Sequence, residues 1–388
     1  MKQNRGIAFI GLLFLVITTS VTTLIGAGIL LTGGNIFSIT STEDIGFIGK
    51  ILATKRIMQQ EGYNDVKNED ILDGALKGMA SAVGDKYTEY LNGDENEELE
   101  IELGKEYAGI GIYIMLNPYN NEITVVSVIK DSPAEKAGIE KLDKILEING
   151  ERMKPEDFTR AADLLKGEAG TEVKLLIESA SGATKNITLK RENIIIKSVN
   201  YEKKNEFGYI EINSFGTDTA EEFDKAYEDL SSKGIKGLII DLRDNGGGIY
   251  DEVIHIANRL LPKGSLIVYT EDKNANQEKE YSDNGDITMP IVLLINENSA
   301  SASEILAGAI KDNKRGTLIG ENTYGKGLVQ GLYSLKDGSS IKVTIAKYFT
   351  PSGMCIEGIG IKPDIEIEQK YGAEDKQLNR AIEILKTK

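Results

Sequence analysis

The period of the apolar positions changes along the chain, and each change marks an element. From Ile7 to Leu31 they run almost unbroken, behind Lys2 and Arg5 and with no further charge until Glu43. That run exceeds the roughly 20 residues that cross a ~30 Å hydrocarbon layer, so a transmembrane helix is predicted within residues 1–41. From residue 42 to about 103 the spacing is helical, with Ile45, Ile48, Ile51, Leu52 and Ile57, then DILDGALKGMASAVGD. From 104 to 191 strands prevail: Gly109-Ile110-Gly111-Ile112 opens one and Ile123–Ile129 alternates as another. A helix in PEDFTRAADLLKG and strands over Val173–Glu178 and Ala183–Leu189 close that region. From 192 to 388 the order is α/β. Strands are expected near Ile194–Val199 and Phe207–Phe215 and a helix over Thr219–Leu230, then a buried strand, glycine turn and helix in GLIIDLRDNGGGIYDEVIHIANRLLP. Ile291–Ile295 is a second buried strand, and Ile305, Leu306, Ala309 and Ile310 continue it as a helix. Glu271–Asp286 is polar enough for an exposed hairpin or loop; SSIKVTIAKYFTPSG alternates as a long strand and Gln377–Leu385 reads as a closing helix.

Composition narrows the partners. A formal charge of −16, from 61 acidic against 45 basic residues, argues against nucleic acid, which calls for clustered Lys and Arg. The single cysteine, Cys355, excludes an intrachain disulfide and reads as a small packed hydrophobe. Lys2 and Arg5 place the amino terminus on the cytoplasmic side, so the body is expected outside the cytoplasm. A cleaved signal has a shorter apolar core, about 7–15 residues. The length therefore favours an uncleaved, single-pass anchor, while Ile25-Gly26-Ala27-Gly28 leaves a cleavage site that would make the protein secreted.

Candidate chemistry sits in IVLLINENSASASEILAGAIKDNKRGTLIGENTYGKGLVQ, residues 291–330. Ser299, Ser301 and Ser303 fall at a strand-to-helix turn, where a hydroxyl is pushed out of the sheet and the first free N–H groups of the helix point at what it attacks. Ser301-Ala302-Ser303-Glu304 is also a capping box, S-x-x-E, which requires no chemistry at all. A serine nucleophile needs a base, and the chain has one histidine, His255, set inside an amphipathic helix where packing explains it. Lysine is the other side chain that can serve, once neutral, and Lys326 lies between Gly325 and Gly327 with Gln330 four residues on. Four extended residues span about 13 Å, so for Gln330 to orient the amine the chain must bend, and Gly325 and Gly327 allow it.

The segments Ser299–Glu304 and Gly325–Gln330 match S-A-S-A-S-E and G-K-G-x-V-Q, and in them the chain resembles the carboxy-terminal processing proteases, the tail-specific serine peptidases of family S41. The resemblance implies an α/β, ClpP/crotonase-like serine protease body (192–388) with an inserted β-rich PDZ domain (104–191), behind a helical amino-terminal region (42–103) and the anchor (1–41). It makes Ser301 the nucleophile, Lys326 the base and Gln330 the orienting amide. It also makes the N–H groups of Gly247 and Ala302 the oxyanion hole, and it calls for no metal or cofactor. Gly246 stands where the family has proline, in D-L-R-x-N-P-G-G, and Lys86 likewise in L-x-D-P-Y. The order of the GIGI loop, P-A-x-x-A-G-I, D-x-I-L-x-I-N-G and helix is similar to a PDZ domain, whose loop, here Gly109, Ile110, Gly111 and Ile112, captures a terminal carboxylate while the peptide adds as a strand. Leu142 occupies a glycine position of that pattern, so the turn before Asp143 is expected to differ. A homodimer through the amino-terminal helices is implied by resemblance alone.

Competing readings are weaker. Asp241-x-Arg243-x-Asn245-Gly246 with Glu252 nearly spells a calcium loop, but an arginine occupies a ligand position and a strand precedes it. A phosphate loop lacks its Lys-Ser or Lys-Thr. A His-Asp-Ser protease would need a histidine base and a G-x-S-G segment, and an acyl-CoA enzyme shares only the general fold. The alternative from another class is an inert PDZ scaffold that binds protein carboxyl ends; intact Ser301, Lys326 and Gln330 argue for the endopeptidase.

Overall fold

Strands buried on both faces read as continuous apolar runs, and two such runs form the middle of the α/β body. The computed structural model describes residues 42–104, 107–118, 120–194, 196–369 and 374–388. The apolar run Ile7–Leu31 lies outside them, and among the described residues no helix is long and apolar enough to cross a membrane. The chain divides into two units, the second formed by Glu97–Gln330 and Thr344–Lys388.

The first unit holds helices α1 (Thr42–Glu61) and α2 (Asn68–Ser81), strand β1 (Glu89–Leu91) and the start of α3 (Gly93–Glu102). β1 pairs antiparallel with Ser340–Lys342. The turn before β1 is held by Asp85, whose carboxylate accepts from the N–H groups of Tyr87 and Thr88, both at 2.8 Å, and from the Thr88 hydroxyl at 2.7 Å. A side chain thus fixes the turn at Lys86, where the resemblance leads one to expect proline. The apolar face of α1 stays open: Phe47 is 52% exposed, Leu52 59% and Ile57 61%.

In the second unit the β-rich module is one antiparallel sheet in the order β3-β4-β5-β7-β8, formed by β3 (Ile112–Leu116), β4 (Ile123–Val128), β5 (Lys144–Ile148), β7 (Glu172–Glu178) and β8 (Thr184–Lys190), with β6 (Glu151–Arg152) beside β5. α4 (Pro133–Lys136) starts on the Ser132 hydroxyl, and a turn of 3-10 helix at Pro155–Asp157 leads into α5 (Phe158–Leu165). Ile123, Val125, Ile145, Ile148, Val173 and Leu175 are among its core. β2 (Tyr107–Gly109) pairs with β9 (Glu192–Ile194). The single strand expected at Ile194–Val199 is therefore two, because Ile194 ends that ribbon while Ser198 and Val199 donate their N–H groups to the Glu222 carboxylate.

The body is a six-stranded sheet in the order β10 (Val199–Lys204), β11 (Phe207–Ile212), β12 (Leu238–Asp241), β15 (Ile291–Ile295), β16 (Thr317–Gly320) and β19 (Ile365–Glu366), parallel from β11 onward. Every residue of β12 and β15 is buried. Alternation splits them between two cores: Leu238, Ile240, Leu293 and Ile295 face α6 (Thr219–Ser232), α7 (Tyr250–Leu260) and α8 (Ala302–Asp312), while Ile239, Val292 and Leu294 face the closing helix α9 (Lys376–Lys386). The polar stretch after β13 (Leu266–Asp272) returns as β14 (Gln277–Tyr281), a hairpin, and β13 also pairs with the last residues of β18 (Ser340–Phe349), which follows β17 (Leu328–Ser334).

At the turn before β5, Leu142 takes the left-handed conformation of a glycine, with φ +76°, and is 55% exposed. That conformation costs a non-glycine residue about 1–2 kcal/mol, of which the added freedom of unfolded glycine cancels part. Leu142→Gly is expected to raise the urea midpoint of the module's unfolding, a gain of about 0.5–1 kcal/mol. An unchanged or lower midpoint would show that the leucine side chain contributes there.

Candidate active site

The loops that follow β12, β15 and β16 leave the same carboxyl end of adjacent parallel strands, where ligands of open α/β sheets bind. The β15 loop carries the three serines, and burial separates them. Ser299 and Ser303 are fully buried; the Ser299 hydroxyl donates to the carbonyl of Leu242 at 2.8 Å and that of Ser303 to the carbonyl of Asn245 at 2.9 Å. The Ala300 N–H donates to the same Asn245 carbonyl at 3.0 Å. Both hydroxyls therefore pin the serine turn to the β12 loop. Asn296 does the same at the rim, accepting from the Asp244 N–H and donating to its carboxylate, each at 2.9 Å. Ser301 is the serine left partly exposed, at the N-cap of α8 with φ 55° and ψ −113°. A non-glycine residue held there stores strain of order 1–3 kcal/mol.

Glu304 holds that strain. It is fully buried, and one of its oxygens accepts from the N–H groups of both Ser301 and Lys326, each at 2.9 Å. The other accepts from the Thr323 hydroxyl at 2.6 Å and the Gly325 N–H at 2.8 Å. The capping box is thus real, and it also clamps the Lys326 loop to the start of α8. Burial pushes the carboxyl above its usual range and the four donors push it back; burial prevails. On the carbonyl side the Tyr348 phenol lies 3.0 Å from the Ser301 carbonyl and in contact with that of Lys326. Tyr348 and Thr323 had no role in the sequence reading, Glu304 figured there only as a cap and within the serine motif, and Asn245 only in the rejected calcium loop.

The other expected residues are placed as follows. Gly247, with φ +105°, packs against the serine turn so closely that a Cβ would lie 2.8 Å from the Ser301 Cβ and 3.0 Å from the Ala302 nitrogen. Only glycine fits. Its N–H is donated to Oδ1 of Asn245 at 2.8 Å, whereas the Ala302 N–H has no acceptor among the described residues. Gly325, with φ +90°, supplies a bend before Lys326, and Gly327 lies too close to Glu357 for any side chain. Gln330 lies in β17 with its amide donated to the Leu328 carbonyl at 3.1 Å. Arg243 closes on Asp241 and on Asp375, the N-cap of α9, so an arginine occupies the would-be calcium loop. His255 is exposed rather than packed, its Nε2 2.9 Å from the Asp224 carboxylate. In the β-rich module, Gly111 has φ +79° and a Cβ there would lie 2.3 Å from that of Ser132. The Ile110 and Gly111 N–H groups have no acceptor among the described residues.

A serine at a helix start, a lysine loop clamped beside it and a glycine turn packed on the serine turn, on an α/β body with a PDZ-like module, suit a serine-type peptidase. Comparison with known proteins agrees. Residues 206–367 match peptidase family S41 and residues 124–179 a PDZ domain. The chain is 35% identical over 370 residues to the carboxy-terminal processing protease CtpA of Bacillus subtilis, covering 95% of this chain and 78% of that protein. It is 36% identical over 324 residues to a probable CtpA-like serine protease of Staphylococcus aureus, covering 83% of this chain and 65% of that one. Among solved structures, the photosystem II D1 C-terminal processing protease aligns with TM-score 0.52 and 28% identity over 89% of this chain and 98% of its own. The chain belongs to the S41 peptidases, as a serine-type peptidase of the carboxy-terminal processing group.

Two outcomes test the clamp. Glu304→Gln replaces one acceptor oxygen by a donor, so two donors lose their partner at about 1–3 kcal/mol each, and peptidase activity is expected to fall at least about 100-fold while the helical signal is kept. Because the folded carboxyl is raised, the folded state binds more protons than the unfolded one just above the ordinary glutamate pKa. Wild-type stability should therefore decline as pH rises from there through the raised value, and Glu304→Gln should lack that slope in a series of urea titrations.

Proposed function

We propose that the protein is an endopeptidase that recognises protein carboxyl ends through its PDZ domain and cuts with Ser301, Lys326 and Gln330. The observation that carries this reading is the shared Glu304 oxygen, which sets the backbones of Ser301 and Lys326 side by side. Ser301 attacks the scissile carbonyl, neutral Lys326 takes its proton and returns it to the leaving amine, and Gln330 turns from Leu328 to orient the amine. The open Ala302 N–H and that of Gly247, released from Asn245, receive the negative oxygen.

Recognition rests on β3, an edge strand of its sheet, which leaves a side for a peptide to add. Ile112 and Ile114 on that strand face Phe158, Ala162 and Leu165 of α5 across a cavity of about 210 Å³. The open N–H groups of Ile110 and Gly111 suit a carboxylate, and the apolar lining suits an apolar last residue. Ile7–Leu31 anchors the body outside the cytoplasm, and the open face of α1 supports a homodimer.

Ser301→Ala and Lys326→Ala are each expected to abolish cleavage of casein and of tailed peptides. Ser299→Ala and Ser303→Ala, which remove anchors, should cost about 1 kcal/mol of stability and retain turnover. Normal cleavage by Ser301→Ala would remove it from the mechanism. Since only a neutral amine accepts a proton, the rate should climb from acid to alkaline pH; a flat profile would count against a lysine base. Gly111→Ala, clashing with Ser132, should weaken binding of a carboxyl-terminal peptide about 10-fold or more in fluorescence anisotropy, with no effect expected from the same peptide amidated at its end.

A further inference from the structure

The carbonyl of Ser301 is a fixed point. It accepts from the Glu304 N–H at 2.9 Å and the Ile305 N–H at 3.0 Å, the first turn of α8, and it shares a rigid peptide plane with the Ala302 N–H. The Lys326 carbonyl has no such helix to hold it; it lies in the loop between β16 and β17. What joins the two is one side chain, Tyr348. It is 2% exposed, near the end of β18, where it pairs with Thr270 of β13, and its own N–H donates to the Gly327 carbonyl at 3.0 Å. Its hydroxyl is within hydrogen-bond reach of both the Ser301 and the Lys326 carbonyl, so its one proton is shared by the two acceptors. Side chain and backbone together thus grip the two successive carbonyls of Lys326 and Gly327.

We propose that Tyr348 is a positioning residue for the Ser301–Lys326 pair, hanging the lysine loop on the helix-fixed carbonyl of the nucleophile. The inference rests on the reading of those two residues given above. Glu304 ties the N–H of Lys326 to the serine turn and Tyr348 ties its carbonyl, so the peptide groups on both sides of the lysine Cα are set. With one tie removed, the Cα–Cβ direction swings and the amine leaves the hydroxyl. A displacement of about 1 Å in such a pair lowers the rate on the order of 100-fold.

Tyr348→Phe keeps the ring and removes the phenol. Expected in the full chain are a kcat lower by about 10–100-fold, a KM unchanged because no substrate group is lost, and a rising limb of the pH–rate profile moved to more alkaline pH, since an amine that swings toward water holds its proton longer. Peptide binding by the PDZ domain should stay as in wild type. Wild-type kcat and an unmoved limb overturn the proposal. If Tyr348→Phe does not fold, a fluorinated tyrosine at 348 whose phenol ionises within the assay range takes its place. The rate should then fall as that phenol loses its only proton, and a rate that does not fall also overturns the proposal. Ser301→Ala and Lys326→Ala run in parallel separate the two levels. If both are dead while Tyr348→Phe is normal, only the positioning role fails; if either turns over normally, the site reading fails with it.

Discussion

One buried carboxylate organises the candidate active site. Glu304 is fully enclosed at the start of α8, a place where an ion with no partners would lose several kcal/mol of hydration. Four donors surround it, two on each oxygen, and three are backbone N–H groups that no rotamer change can withdraw. The arrangement fixes what a cap alone would not. A capping box needs only the N-cap residue and its own helix, whereas here the same oxygen that caps Ser301 also receives Lys326, a residue from beyond the next strand. The strained backbone of Ser301 and the placement of the lysine loop are both held by one interaction.

The sheet supplies the other half of the constraint. β12, β15 and β16 are adjacent and parallel, so their three following loops meet without any long connection. Small residues then let them touch. Gly247 admits the serine turn at a distance no side chain would allow, and the Ser299 and Ser303 hydroxyls reach carbonyls of the neighbouring loop. The alternation of serine and alanine has a physical reading. Serines at 299 and 303 are buried and tie loops together, and Ser301 between them is left partly exposed.

Much of this was legible in the chain. The buried strands, the flanking helices, the polar hairpin at Glu271–Asp286 and the long strand ending in KYFTPSG follow from period and burial. The candidate site was legible as far as local patterns reach: Ser301 and Lys326 stand in short segments whose residue types have few other uses together. Glu304 was legible only as a cap, because its remaining donors lie about twenty residues away and sequence spacing does not say which loops a sheet brings together. Tyr348 read as one more residue of an alternating strand for the same reason. Leu142 was expected to alter its turn; instead it adopts the conformation of the glycine it replaces. The strand expected at Ile194–Val199 failed because two partners, β2 on one side and Glu222 on the other, divide it.

The committed donors bear on how large a rearrangement the proposed reaction requires. The Gly247 N–H rests on Asn245 and the Gln330 amide on the Leu328 carbonyl. Each is a neutral hydrogen bond whose net worth is about 0.5–1.5 kcal/mol. A developing oxyanion is an ionised acceptor, and hydrogen bonds to such groups are roughly twice as strong. The exchange of Asn245 for substrate oxygen is therefore downhill at the moment charge appears and close to neutral before it. That is the differential binding a catalyst needs, stronger in the transition state than in the ground state. The backbones that carry the serine and the lysine are already tied through Glu304, so the exchange starts from a fixed pair of peptide groups.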